Sequence, residues 1–373
     1  MEDFGGIFDG NPDNYREKIV TKPKKQKYNK LQSFKQMKKI ISISVTIIFL
    51  LSSCEKVLIE KDPAVTPTAN FEALWQTADE KYSFFEYKSI DWNEIYSAYR
   101  PQINDNMTGE QLFDVLGSML NELKDGHVNL TSPFNISRYS FNYPNPENFN
   151  YRLLKDNYIG WDYNITGPLV NAFIERDGHS IGYIYYGSFS NNVSSYHIDY
   201  VINRFWNTDG IILDMRSNGG GSVSNIRTIA GRFTNVRRFV YTSALKDGPE
   251  HNDFGEPSKV YLDPRGSKQY TGKVMFLTNR GSFSATSFFS VIMKALPNVT
   301  QIGDTTGGGL GAPTGFELPN GWAYRFSCSQ TLTPAGENFE NGVPPDITVW
   351  MNPEHELQGI DDIMERAIEE ILK

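Results

Sequence analysis

The tract Gly281-Ser282-Phe283-Ser284-Ala285-Thr286-Ser287 follows an apolar run, Lys273 to Thr278, and precedes a helical pattern from Phe288 to Leu296. That order sets Ser284 at a strand-to-helix turn, where a hydroxyl projects beside the free N–H groups and the positive end of a helix. Such a serine is a candidate nucleophile; the competing reading is a plain helix N-cap, a position that serine favours. Two further tracts bear on the choice. Leu123-Lys124-Asp125-Gly126-His127 ends an amphipathic stretch with a histidine, and Asp214-Met215-Arg216-Ser217-Asn218-Gly219-Gly220-Gly221 sets three glycines behind the apolar run Gly210 to Leu213. A hydroxyl, a base and a loop rich in bare backbone are the parts of an acyl-transfer centre.

A serine hydroxyl is a weak nucleophile at neutral pH and needs a base, for which His127 is the candidate. A histidine just past a helix also serves as a charge partner for the helix C-terminus. The tripeptide recurs as Asp177-Gly178-His179 between two strand-like runs, where Asp-Gly reads as a hairpin turn. His179, His197, His251 and His355 lack comparable company. The oxyanion of an acyl-transfer reaction takes two preorganised N–H donors, here Ala285 and a glycine of 219–221, with Gly220 as the expected one. The glycine loop has neither a GK[ST] nor a GxGxxG pattern, so it does not read as a phosphate cradle.

In chain order, Asp125-Gly126-His127, the run 213–221, the run 279–289, the run 302–309 and Gly336 to Ile347 resemble the tail-specific (C-terminal-processing) serine protease family, from about Phe71 to near the C-terminus. The chain looks most like its tricorn-like, histidine-dependent branch. The lysine-dependent branch carries its catalytic lysine after a G-[DE]-x-T turn, and Gly303 to Gly309 contains no lysine. The resemblance implies a ClpP/crotonase-like ββα spiral, a peptide or protein substrate and no cofactor. In the tricorn-like pattern a serine precedes the histidine and a distant glutamate completes a tetrad. Here Gly126 stands in the serine's place, Glu340 matches the glutamate, and Asp125 competes with it as the group that orients the ring. Relatives often carry a PDZ domain between the histidine and the catalytic core, and the roughly 50 residues in that interval are too few for one.

Behind these tracts the elements alternate. Strand-like runs at 181–185, 211–215, 274–277 and 299–302 are separated by helical patterns near 194–206, 223–233 and 288–296, an α/β arrangement with a largely parallel sheet. Phe316 to Tyr324 reads as a hairpin around Asn320-Gly321. Helical spacing of Phe71, Leu74, Trp75 and Ala78, of Trp92, Ile95 and Tyr99, and of Leu112, Leu116, Met119 and Leu123 predicts a small N-terminal helical bundle over 69–128. Thr108 with Gln111 forms a capping box at the start of its third helix. Residues 129–175, rich in Asn, Tyr and Pro, read as a connecting segment and 176–373 as the catalytic domain.

The 373 residues are 39% hydrophobic, enough for a folded core, and the net charge of −8 offers no basic footprint for nucleic acid. With two cysteines, Cys54 and Cys328, neither a disulfide framework nor a CxxC metal site is expected, and Cys328 reads as a buried thiol. Met37-Lys38-Lys39, the apolar run Ile40 to Leu51 and Leu51-Ser52-Ser53-Cys54 resemble a bacterial lipoprotein signal with Cys54 as the lipidated residue. That implies a signal over 37–53, a tether over 54–68, and a lipid-anchored protein of the cell envelope; Glu55 after the cysteine favours the outer membrane. Residues 1–36 read as an extension upstream of the signal. Two other readings compete with an enzyme: an inactive ligand- or peptide-binding protein on the same scaffold, and a surface lipoprotein that captures glycans with its aromatic loops.

Overall fold

The computed structural model describes residues 37, 64–141, 143 and 147–373. Apart from Met37, the signal, Cys54 and most of the tether lie outside the described residues. In chain order the helices are α1 (Pro67–Lys81), α2 (Trp92–Tyr99), α3 (Gly109–Asn121), α4 (Tyr151–Leu154), α5 (Ser195–Arg204), α6 (Ser224–Ala230), α7 (Ala285–Lys294), α8 (Pro353–Leu357) and α9 (Asp362–Leu372). The strands are β1 (Asn129–Thr131), β2 (Ile136–Arg138), β3 (Asn164–Thr166), β4 (Leu169–Arg176), β5 (His179–Tyr185), β6 (Gly210–Asp214), β7 (Arg238–Leu245), β8 (Ser258–Leu262), β9 (Lys273–Thr278), β10 (Val299–Gly303), β11 (Pro313–Glu317), β12 (Ala323–Ser327), β13 (Ser329–Leu332) and β14 (Ile347–Thr348).

A seven-stranded sheet, ordered β14-β10-β9-β6-β5-β4-β3, is the centre of the molecule. Its strands from β14 to β5 run parallel, and β4 and β3 join antiparallel. Every residue of β6 is buried, as expected of a strand covered on both faces. Alternation divides its side chains: Ile211 and Leu213 face a core completed by α5, α6 and α7, while Ile212 faces one completed by α9. The expected β4–β5 hairpin turns at Asp177 and Gly178, both at positive φ, and His179 beside it is half-exposed against Asp209.

A second sheet, β11-β12-β1-β2, lies under the N-terminal helices, and a third, β13-β7-β8, walls the cleft. The capping box forms as expected: the Thr108 hydroxyl accepts from Gln111 N–H and Gln111 Oε1 accepts from Thr108 N–H. The three expected N-terminal helices form and pack on this sheet. Phe71, Leu74, Leu116 and Leu120 share one core with Leu130, Tyr324 and Phe326 of the second sheet, each helix burying its apolar face there. The interval 129–175, read as a connector, contributes β1, β2 and β3, whose three residues each are too short to show a period, and β4, the strand-like run before Asp177-Gly178. The hairpin β7–β8 is a further element absent from the sequence reading.

Candidate active site

All the parallel strands end on the same side, and the loops after β6, β9 and β10 converge there, the usual place for a site in such a sheet. The loop after β9 carries Ser284, whose φ of 56° and ψ of −117° are strained for a residue with a side chain. The strain is held by neighbours on both flanks: Phe283 N–H donates to the Asn218 carbonyl at 3.0 Å and Ser284 N–H to the Gly308 carbonyl at 2.9 Å. Ser284 makes no side-chain cap for α7. Its Oγ lies instead 2.8 Å from His127 Nε2. The N-cap reading is thereby set aside, and the helix is anchored by Phe289, Ile292 and Met293 in the core.

His127 reaches that position because the chain reverses sharply after α3. Lys124 adopts φ 48°, and Asp125 Oδ1 accepts from His127 N–H at 2.8 Å in a local turn. The ring is 5% exposed, with Phe283 beside it at 5.0 Å between centroids. Burial holds its pKa below the ordinary value; Asp125 opposes that shift, and Arg325 and Lys88 reinforce it. The ring is therefore neutral, and able to accept a proton, at neutral pH.

Neither expected orienter reaches the ring by a hydrogen bond. Asp125 spends Oδ1 on the His127 backbone, while its Oδ2 and His127 Nδ1 are both buried without a partner. Glu340 is 3% exposed, and its Oε2 accepts from Leu310 N–H at 2.6 Å and Gly311 N–H at 2.9 Å. Glu340 thus fixes the loop whose Gly309 packs against the imidazole, one step removed from the role the sequence match assigns. Burial and then the Asp125 charge push its carboxyl up to about 8.

The glycine loop lies against Ser284: a Cβ on Gly220, at φ 92°, would fall 2.6 Å from the Phe283 carbonyl and 2.9 Å from Ala285 N, so only glycine fits. Gly220 N–H is not the free donor expected, because it donates to Asn218 Oδ1 at 3.0 Å. Ala285, Gly219 and Gly221 have N–H groups without an acceptor among the described residues. Asn218 was not singled out by sequence, yet it joins the two loops: its Nδ2 donates to the Tyr186 carbonyl at 2.8 Å and its own carbonyl accepts the Thr286 hydroxyl at 2.8 Å. Asn279 does the same from the other side, accepting from Ser217 N–H at 2.7 Å. The one sequence signal for Asn218 is its place before the glycine run 219–221; Asn279, before Arg280-Gly281, has none.

Ser284 and His127 open into a cleft of ≈ 830 Å³. Val223, Ile226, Tyr241, Val260, Phe288 and Ile292 give it one apolar wall, which sequence alone did not reveal because α6, α7, β7 and β8 meet only in space. Cys328 is buried. Among the described residues, no cluster of side chains suits a metal ion, and no helix is long and apolar enough to cross a membrane.

Residues 180–349 match the model of peptidase family S41, and residues 63–121 that of the tricorn protease C1 domain. The chain is 29% identical over 208 residues to the tricorn protease of Thermoplasma volcanium, covering 53% of this chain and 18% of that one. It is 25% identical over 184 residues to the carboxy-terminal processing protease CtpA of Bacillus subtilis, covering 49% of this chain and 38% of that one. The chain thus spans well under half the length of these relatives. A solved structure of a candidate peptidase from Parabacteroides merdae is 43% identical and superposes with a TM-score of 0.79 over 83% of this chain and 98% of that one. Mature CPAF, 11% identical with a TM-score of 0.61 over 83% of this chain and 97% of that one, shares the fold. The ordered motifs, the α/β core and these matches agree that the chain belongs to peptidase family S41, the tail-specific and tricorn-like serine proteases.

Proposed function

We propose that this protein hydrolyses peptide bonds through an acyl-enzyme on Ser284. The single observation that carries the reading is the 2.8 Å approach of His127 Nε2 to Ser284 Oγ, made by a serine whose strained backbone frees it from capping its helix. Neutral His127 takes the hydroxyl proton as Oγ bonds to the scissile carbonyl carbon. The oxygen of that carbonyl becomes an oxyanion that accepts from Ala285 N–H and from Gly219 or Gly221 N–H in place of Gly220. Collapse of the tetrahedral intermediate breaks the C–N bond, and the imidazolium hands its proton to the departing amine. Water, deprotonated by the same ring, then cleaves the acyl ester and restores Ser284. The apolar wall favours a hydrophobic side chain on the acyl fragment. Asp125 and Glu340 act on His127 through its backbone and through the 309–311 loop.

Covalent labelling by a fluorophosphonate tests this: the wild type should react and Ser284→Ala and His127→Ala should not. Unlabelled, folded wild type would return the chain to the binding-protein reading, which no feature of the cleft favours. We propose further that the lipobox directs diacylation of Cys54 and places the enzyme on a bacterial envelope membrane. Metabolic labelling with a fatty acid, lost in Cys54→Ala, tests that placement.

A further inference from the structure

His127 sits at the end of the turn 123–127, whose first carbonyls, at Leu123 and Lys124, lie just past α3, where a helix leaves such groups without partners of its own. Both are taken up by the segment between α1 and α2. The Tyr82 hydroxyl donates to the Leu123 carbonyl at 3.1 Å, and Lys88 Nζ donates to the Lys124 carbonyl at 2.9 Å and to that of Leu123 at 3.4 Å. The far end of the turn is tied separately, by Arg325 Nε donating to the His127 carbonyl at 3.1 Å. Between these ties Lys124 stands at φ 48°, a region where a residue with a side chain is strained and stays only while its surroundings hold it.

The same segment reaches the loop on the other side of the imidazole. A Cβ on Gly311 would meet the Phe84 ring at 2.5 Å, and Gly311 N–H is one of the two donors to Glu340. The Tyr87 hydroxyl donates to the Asn338 carbonyl at 3.2 Å, two residues before Glu340. Lys88 is itself fixed in this segment: its N–H donates to the Phe84 carbonyl at 3.0 Å, and its Nζ lies 5.7 Å from the centre of the Phe84 ring and 6.0 Å from that of Tyr82, close enough for the ring faces to attract the cation. Its charge bears on both His127 and Glu340, disfavouring the protonated form of each.

We propose that Lys88 is a positioning residue for the reaction: its ammonium clamps the carbonyls of Leu123 and Lys124 and so holds His127 Nε2 at the 2.8 Å from Ser284 Oγ that proton transfer uses. The inference rests on the peptidase reading and adds to that site a residue from outside its motif tracts. Lys88 does not line the cleft, whose apolar wall is built by α6, α7, β7 and β8, so it acts on the chemical step and leaves substrate binding alone. A base displaced by about 1 Å costs on the order of a hundredfold in rate. Tyr82 and Arg325 still hold the turn when Lys88 is removed, so the loss is smaller than that, about tenfold.

The test compares the full chain with Lys88→Met and Lys88→Arg on a peptide anilide that has an apolar acyl residue, with active sites counted by fluorophosphonate titration so that an unfolded fraction does not enter kcat. Lys88→Met keeps an apolar stem against Phe84 and Tyr82 but has no donor. It should lower kcat about tenfold with KM within about twofold of wild type, and Lys88→Arg, which keeps donors and charge, should recover most of the loss. The charged groups that act on His127 are Asp125, Arg325 and Lys88. Removing the Lys88 cation favours the imidazolium, so the acid limb of kcat/KM should move toward alkali in Lys88→Met and stay in place in Lys88→Arg. A residue that only supported the fold would lower the melting temperature and leave kcat per active site and the acid limb where they were. That result, a loss confined to KM, or an arginine variant as slow as the methionine variant would overturn the proposal. If Lys88→Met does not fold, Lys88→Gln, with a neutral donor, makes the same comparison. A wild type that neither labels nor cleaves fails the peptidase reading and takes this inference with it, whereas a wild type that does both while Lys88→Met matches it overturns this inference alone.

Discussion

A Cβ on Gly126 would fall 2.5 Å from Phe141 Cε2 and 2.8 Å from Phe283 Cζ, so the ring of Phe141 fills the space that a side chain at position 126 would take. Phe141 is held there by Tyr139, edge-on at 5.0 Å, and Tyr143, stacked at 5.4 Å. Gly126→Ser alone is expected to lose about 1–3 kcal/mol of stability through overpacking and at least tenfold in kcat/KM as His127 is displaced. Pairing it with Phe141→Ala should recover part of both. Thermal melts and peptide kinetics on the two variants check this, and a single variant as active as wild type would mean that Phe141 yields freely.

The pH dependence of activity follows from the burial of His127. Only the neutral ring accepts the serine proton, so activity is present above its pKa and lost below it. Burial sets that pKa beneath the ordinary 6.5, and the acid limb of kcat/KM should lie below that value. Asp125 favours the charged ring, so Asp125→Asn should move the limb further toward acid; a shift toward alkali would show that Asp125 acts chiefly on the backbone turn.

Glu340 gives a stability signature of opposite kind. Its carboxyl titrates near 8 when folded, against about 4.3 in an unfolded chain, so between these values the native state binds the extra proton. Its contribution is fully present below about 4.3 and declines as pH rises through about 8. Glu340→Gln keeps an oxygen for Leu310 and Gly311 N–H without the charge. The variant's melting temperature should fall less than that of wild type between pH 5 and 8, the window set by those two values. Parallel curves would place the titration elsewhere.

How much of this was legible in sequence follows the range of the interaction. Ser284 and His127 sit in local tracts whose turn chemistry is written within a few residues, as do the β4–β5 hairpin and the Thr108 capping box. The strands of the central sheet showed as apolar runs because both faces are buried. Glu340 was placed by its motif, but its hydrogen-bond partners at 310 and 311 depend on loop conformation, which no periodicity records. Asn218, Phe141 and Arg325 act through residues far away in sequence, and the alternation Tyr324-Arg325-Phe326 says only that one charge leaves the core. The third sheet was missed for the same reason: β7 pairs with β13 across more than 80 residues, and an isolated short run does not announce its partner.

The last expectation concerns the support of the catalytic loops. Arg216, wholly buried at the end of β6, pairs with Asp214 at 2.7 Å and with Asp361, the N-cap of α9, at 2.8 Å. The triad ties the glycine loop to the C-terminal helix, and Asp361 also accepts from Ile363 and Met364 N–H at 3.1 Å. Three buried charges are costly to desolvate, so the intact triad adds little net stability, whereas removal of its centre leaves two uncompensated carboxylates. Arg216→Ala should cost about 3–5 kcal/mol. A triple replacement by apolar residues of matching volume, Asp214→Leu, Arg216→Met and Asp361→Leu, should cost much less despite losing the helix cap. Denaturant unfolding of both variants measures the difference. If the triple variant is the less stable of the two, the ion network itself, rather than the avoidance of unpaired charge, holds the loop to the helix.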